Sequence, residues 1–241
     1  MPDDVPFETL RSVSKRFGSG RLEALLFDMD GTLSDTDAVH RQAMVDTFAA
    51  RGVILSDEDF HRHVSGQSND SILGHFFPGL SGEARRRLAD EKEALYRRLT
   101  PRMTPMPGLP RLIAWAKAKG VACALVTNGP RLNVEHTLRA LGLSDSFETL
   151  VLGEDLPRAK PDPLPYLEAL RRLGVAADRA MAFEDSAPGV TAALGAGVFT
   201  VEVTGPSRSA GLGLGADLVV PDFDAPQLWD HLIATNVYGT K

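Results

Sequence analysis

The chain has 241 residues, 43% of them apolar, with a formal net charge of −6. This is long enough for one large or two modest domains with a substantial core, and its acids and bases are mixed, which excludes a basic stripe for nucleic acid or anionic lipid. Cys123 stands alone in the apolar run VACALV and reads as a small core residue, no apolar stretch approaches the roughly 20 residues that cross a bilayer, and the acid-led start MPDDVPFETLRSVSKRF is no secretory signal, so a cytoplasmic chain with neither nucleic-acid nor membrane partners is expected.

In chain order, residues 1–20 are an N-terminal extension with room for a short helix around Phe7–Phe17, ended by Gly18 and Gly20. From Leu22, LEALLF has strand length and stops at the polar cluster DMDGT. Residues 36–104 then lack a convincing strand and carry helical patterns instead. One is AVHRQAMVDTFAARG, a second is Ser68–Phe77, and a third runs from Glu83 to Leu99 after Ser81 as its cap. In the third, Arg85, Arg86 and Arg87 are followed by Asp90, Glu91 and Glu93, which reads as a solvated helix face. The proline-rich TPRMTPMPGLP marks the exit from this all-helical unit.

Beyond Gly108 helices and strands alternate. Helices over Leu109–Lys119, Leu132–Leu141, Leu164–Leu173 and Ala187–Ala196 precede the strand-like runs VACALV, ETLVLG, RAMAF and VFTVEV, and ADLVVPDF supplies one more strand. Such alternation predicts right-handed βαβ crossovers and a parallel sheet covered on both faces. The expected fold is α/β, a Rossmann-like doubly wound core from residues 21–35 and 105–241 with a small helical cap of residues 36–104 inserted after the first strand.

Open parallel sheets bind ligands beyond the carboxyl ends of their strands. Four apolar runs here lead to reactive groups: Asp28 and Asp30, Thr127 and Asn128, Lys160 after a loop, and Glu184 and Asp185. Each cluster alone has a plainer reading. Asp30 could cap a turn, TNGP is an ordinary helix entry, and lysines and adjacent acids in loops usually face solvent. One sheet would gather all four at one edge, and that convergence outweighs any single motif. Asp28, Glu184 and Asp185 would then bring three negative charges together, and a phosphate monoester adds about two more. Each close pair repels by about 4 kcal/mol at 4 Å with an effective dielectric near 20. Such a cluster needs cations, and Lys160 with one Mg²⁺ would supply three positive charges.

DMDGT (28–32), TN (127–128), KP (160–161) and EDS (184–186), in that order and with an early helical insertion, resemble the haloacid dehalogenase superfamily of phosphatases over about residues 22–222. DTDAVH and FEDSAPGV look most like its branch of β-phosphoglucomutases, phosphoglycolate phosphatases and CbbY-type sugar-phosphate phosphatases. The resemblance implies a Mg²⁺-dependent phosphatase acting on a small phosphorylated metabolite, a sugar phosphate or a phosphoglycolate-like acid, through an aspartyl-phosphate. It gives Asp28 the nucleophile's role and a place on the metal. Asp30 becomes the acid–base residue, with its carbonyl on the metal. Thr127, Asn128 and Lys160 hold the phosphoryl group, and Asp185 with Glu184 completes the metal site. His40 and Lys92 match substrate-side residues of that branch, beside plainer readings as helix-surface groups. Ser68 stands where β-phosphoglucomutases carry an arginine that clamps a second phosphate, so hydrolysis is favoured over the alternative, a sugar-phosphate mutase. A monomer is expected, with a dimer left open.

Overall fold

The computed structural model of the protein describes residues 21–64, 67–206 and 210–237; the helix expected around Phe7–Phe17 lies outside them. Six strands form one parallel sheet: β1 (Ala24–Phe27), β2 (Ala122–Thr127), β3 (Thr149–Leu152), β4 (Ala180–Glu184), β5 (Phe199–Val203) and β6 (Leu218–Val220). Their order across the sheet is β3-β2-β1-β4-β5-β6. β1 is central and buried along its whole length, as a strand covered on both faces must be, which is why ALLF reads as an unbroken apolar run rather than an alternating one.

Successive residues of these strands feed two different cores. Leu25, Phe27, Cys123, Leu125, Met181 and Phe183 face one side, against α5 (Leu109–Lys119), α6 (Arg131–Leu141) and α9 (Pro226–Val237). Phe27 stacks on Phe183 with ring centroids 4.9 Å apart. On the opposite face Ala24, Leu26, Ala124, Val126, Ala180 and Ala182 meet α7 (Leu164–Leu173) and α8 (Ala187–Gly195). That face is rich in alanine, so these two helices approach the sheet closely. The bulky face carries the aromatic packing; the small one sets helix position.

Between β1 and α5 lie four helices: α1 (Asp37–Ala49), α2 (Asp57–His63), α3 (Asn69–Phe76) and α4 (Gly82–Leu99). They have an apolar cluster of their own, built on Met44, Phe48, Phe60, Ile72, Leu73 and Leu88. Serine side chains accept hydrogen bonds from main-chain N–H groups at three of their starts: Ser56, Ser68 and Ser81. The three helices expected from sequence over residues 36–100 are all found; the second and third agree within one residue at each end, and the first stops at Ala49, short of Gly52. Among the described residues two α-helices were not anticipated: α2, which is only seven residues long, and α9, which follows the last strand.

Candidate active site

In a sheet of this order the direction of winding reverses beside β1, so crossovers leave a crevice beyond the carboxyl ends of β1, β2 and β4. Phe27 pairs with Leu125 on one side and Phe183 on the other, which sets Asp28 directly beside the end of β4. A cavity opens there, lined among others by Asp28, Asp30, Thr127, Lys160 and Asp185 from the sheet side. The helical unit covers it with His40, Asn69, Lys92 and Glu93.

Lys160 is the hub. Its ammonium is buried and donates to Asp28 Oδ1 at 2.6 Å, to Glu184 Oε1 at 2.5 Å and to the Val126 carbonyl at 2.7 Å. Burial works against its charge, but the carboxylates of Asp28 and Glu184 outweigh that and raise its pKa to about 12. The peptide following it, to Pro161, is cis. Asn128 holds the lysine's main chain from both sides, accepting from its N–H at 3.1 Å and donating to its carbonyl at 3.2 Å. The Asn128 amide therefore positions Lys160. Thr127 Oγ1 accepts from Gly129 N–H at 2.9 Å and lines the cavity.

Carboxylate oxygens of Asp28, Glu184 and Asp185 lie within 4.8 Å of one another, all three residues buried. Oxygens on opposite sides of an octahedral Mg²⁺ are separated by about 4.2 Å, so the spacing fits one such ion, and an all-oxygen donor set suits a hard cation. Charge agrees: three carboxylates and one ammonium leave −2, the value a divalent ion cancels. Without that ion, burial raises the Asp28 carboxyl well above its ordinary range, and although Lys160 opposes this, Glu184 and Asp30 add to it. Glu184 already has protein partners on both oxygens: Lys160 and the Tyr166 hydroxyl (2.6 Å) on one, Asp185 N–H and Ser186 Oγ on the other. Two glycines make this crowding possible. A side chain at Gly31 (φ 79°) would collide with the Asp185 carboxylate, and one at Gly189 with that of Glu184.

Asp30 is held differently. Its Oδ1 takes His40 Nε2 at 2.9 Å and the Thr36 hydroxyl at 3.2 Å. Burial pushes its carboxyl up, but His40, Lys92 and Thr36 prevail and hold it below the usual range. Lys92 Nζ donates to His40 Nδ1 at 3.1 Å, so Nε2 carries the ring's proton and faces Asp30. Tyr96 stacks on the His40 ring at 4.0 Å.

Lys92 and Glu93 overturn the sequence reading of α4. The solvated-face reading holds for Arg86, Arg87 and Glu91, which are exposed. It fails for Lys92 and Glu93, each 5% exposed. Glu93 accepts from Lys92 (2.9 Å), from Asn69 (2.7 Å) and from Asn133 of α6 (2.6 Å). Leu88, Lys92 and Tyr96 recur every four residues, the spacing of one buried helix stripe, and that signal could have placed Lys92 inside. Asn133, Tyr166 and Glu93 are site residues that sequence reasoning missed.

A parallel α/β sheet with buried acids and a lysine at its switch point, under a helical cover, is an arrangement suited to a hard cation and an anionic substrate. Residues 22–197 match the family model described as haloacid dehalogenase-like hydrolase, and the chain belongs to that family. It is 32% identical over 182 residues to the phosphorylated carbohydrates phosphatase of Thermotoga maritima, covering 73% of this chain and 82% of that protein. It is 30% identical over 208 residues to the β-phosphoglucomutase of Bacillus subtilis, covering 83% and 89%. Among solved structures, CbbY from Rhodobacter sphaeroides in complex with xylulose-1,5-bisphosphate superposes with a TM-score of 0.76 at 30% identity, covering 84% of this chain and 95% of that one. None of the helices among the described residues is long and apolar enough to cross a membrane.

Proposed function

We propose that the protein is a Mg²⁺-dependent phosphatase that hydrolyses a small phosphorylated metabolite through a phosphoryl group carried on Asp28. The observation that carries this reading is the contact of Asp28 with Lys160 at 2.6 Å inside a buried group of three carboxylates. The relatives named for phosphorylated carbohydrates point to a sugar phosphate rather than a phosphoglycolate-like acid as the substrate.

In the first step an Asp28 carboxylate oxygen attacks phosphorus, the ester P–O bond breaks, and Asp30 gives its proton to the departing alkoxide. In the second, Asp30 takes a proton from water, the water oxygen attacks phosphorus, and inorganic phosphate leaves with the Asp28 carboxylate restored. Lys160 and the Thr127 hydroxyl face the phosphoryl oxygens, and Asn128 keeps Lys160 in register. The Asp28, Asp185 and Glu184 carboxylates with the Asp30 carbonyl would hold the magnesium, which supplies charge neutralisation on the phosphoryl oxygens. Asp30 as held here by His40 is a carboxylate, the form that activates water, so before the first step it takes a proton from solvent as substrate displaces that contact.

Inorganic phosphate release over a panel of phosphate esters, with and without Mg²⁺, tests the reading. Release that depends on Mg²⁺ and disappears in Asp28→Asn supports it; an Asp28→Asn enzyme with full activity removes Asp28 as nucleophile.

A mutase reading draws on the likeness to β-phosphoglucomutase. It predicts interconversion of sugar 1- and 6-phosphates faster than phosphate release. Ser68 counts against it: its hydroxyl accepts from Ser71 N–H as the cap of α3 and offers no cation for a second phosphate.

A further inference from the structure

At the end of the cavity formed by the helical unit and α6 lie Gln67, Asn69, Lys92, Glu93 and Asn133. Lys92 is the only lysine or arginine that lines the cavity there; Arg97 stands behind Asn133, not in the lining. We propose that Glu93 sets the substrate range of this enzyme by cancelling Lys92, so that the site accepts phosphomonoesters of uncharged polyols and rejects substrates bearing a second phosphate or a carboxylate. This rests on the phosphatase reading above and names what the rest of that substrate must be.

The chemistry is local. An ammonium has three N–H donors. One of Lys92's goes to His40 Nδ1 and one to Glu93 Oε1, which leaves one for a ligand. Glu93 cannot swing away to free the lysine for an anion, because it also accepts from Asn69 and Asn133. Both side chains of the pair are about as buried as a core residue, 6% and 7% exposed. Displacing the carboxylate would leave it buried and unpaired, among the costliest states a protein can hold. The remaining groups at this end are amides, which donate to and accept from hydroxyls without favouring charge. The cavity as a whole reinforces the bias: its lining holds five acids (Asp28, Asp30, Asp37, Glu93 and Asp185) against two lysines, a net of −3. One divalent ion leaves −1, the phosphoryl group to be transferred is then bound by Lys160, and Lys92, neutralised by Glu93, offers no uncompensated charge to a second anion.

Glu93 lies within a charged stretch, LADEKEALY, and its contacts with Lys92, Asn69 and Asn133 of α6 separate it from Asp90 and Glu91, which point to solvent. Asn133 is oriented for this contact by Arg97, which donates to its Oδ1 at 2.7 Å and so turns its Nδ2 onto Glu93. The seam between α4 and α6 thus fixes the carboxylate that neutralises the lysine.

The test is kcat/KM of the Mg²⁺-loaded enzyme on hexitol 6-phosphate, hexose 1,6-bisphosphate and 2-phosphoglycolate, for wild type, Glu93→Gln and Glu93→Ala. The alanine variant removes the same charge without presenting an amide N–H to Asn133, so it remains informative if the glutamine variant folds poorly. Wild type is expected to favour the hexitol ester over both others by at least about tenfold, or ~1.4 kcal/mol. Both variants are expected to raise the ratio for the doubly charged substrates by about tenfold, through KM. A wild-type preference for the bisphosphate or phosphoglycolate overturns the proposal, as does an unchanged ratio in a folded Glu93 variant. No release from any ester would instead overturn the phosphatase reading itself.

Discussion

The Lys160 ammonium and the Asp28 carboxylate, 132 residues apart in sequence, meet at 2.6 Å in the interior, and Glu184 takes the same ammonium at 2.5 Å. Lys160→Met leaves two buried carboxylates without their cation. Breaking a buried pair in this way costs about 3–5 kcal/mol, and losing one preorganised donor to a transferring group costs about 10²–10³-fold in rate. Urea unfolding and kcat/KM measure the two losses. Added Mg²⁺ is expected to restore part of the stability and little of the rate, since it offsets charge without replacing the donor.

His40 gives a pH prediction. It is the first group after burial in setting the Asp30 carboxyl, and its effect is to lower it. His40→Ala removes the hydrogen bond that His40 Nε2 gives the Asp30 carboxylate, so the Asp30 pKa rises. Where water activation by the Asp30 carboxylate limits the rate, the acid limb of the kcat profile moves to higher pH. A limb that stays in place while activity falls would assign His40 to substrate binding alone.

Gly189 sits in the first turn of α8, where alanine is ordinarily the better helix former by roughly 1 kcal/mol. Here a Cβ would overlap the Glu184 carboxylate. Gly189→Ala is therefore expected to lower the Tm and to reduce phosphate release, because Glu184 can move only by dropping Lys160 or Tyr166. Thermal unfolding and the release assay read both effects.

Burial, with the Glu148 carboxylate adding to it, pushes the Cys123 thiol up to about 12 from its ordinary 9.0. The folded protein should leave this thiol unlabelled by a thiol-specific disulfide reagent at pH 8, and label stoichiometrically in guanidinium. A folded pKa above the unfolded one contributes stability that is complete below pH 9.0 and is lost as pH rises towards about 12. Cys123→Ala should flatten that alkaline loss.

Much of the fold is legible in the chain because local rules and the final structure agree. ALLF, CALV and AMAF are apolar without alternation since they sit between two helical layers, and the polar groups that end them need only a parallel sheet to converge. Asp28, Lys160 and Asp185 could be picked out for that reason. Local reading fails at α4. Its charge density is that of a surface helix, yet Lys92 and Glu93 are buried because each neutralises the other and Asn133 reaches across from α6.

A parallel sheet is implied by the alternation of elements, but its strand order and which carboxylate takes which donor are not. That Asn128 clamps the lysine's main chain, that Tyr166 secures Glu184, and that Asp30 faces His40 all depend on contacts between segments 10 to 132 residues apart. The sequence by itself determined the layered sheet and the set of reactive groups at its edge, because these follow from hydrophobic period and residue type. The pairing of those groups was decided only by tertiary structure, because the energy of a buried charge depends on neighbours that chain order does not specify.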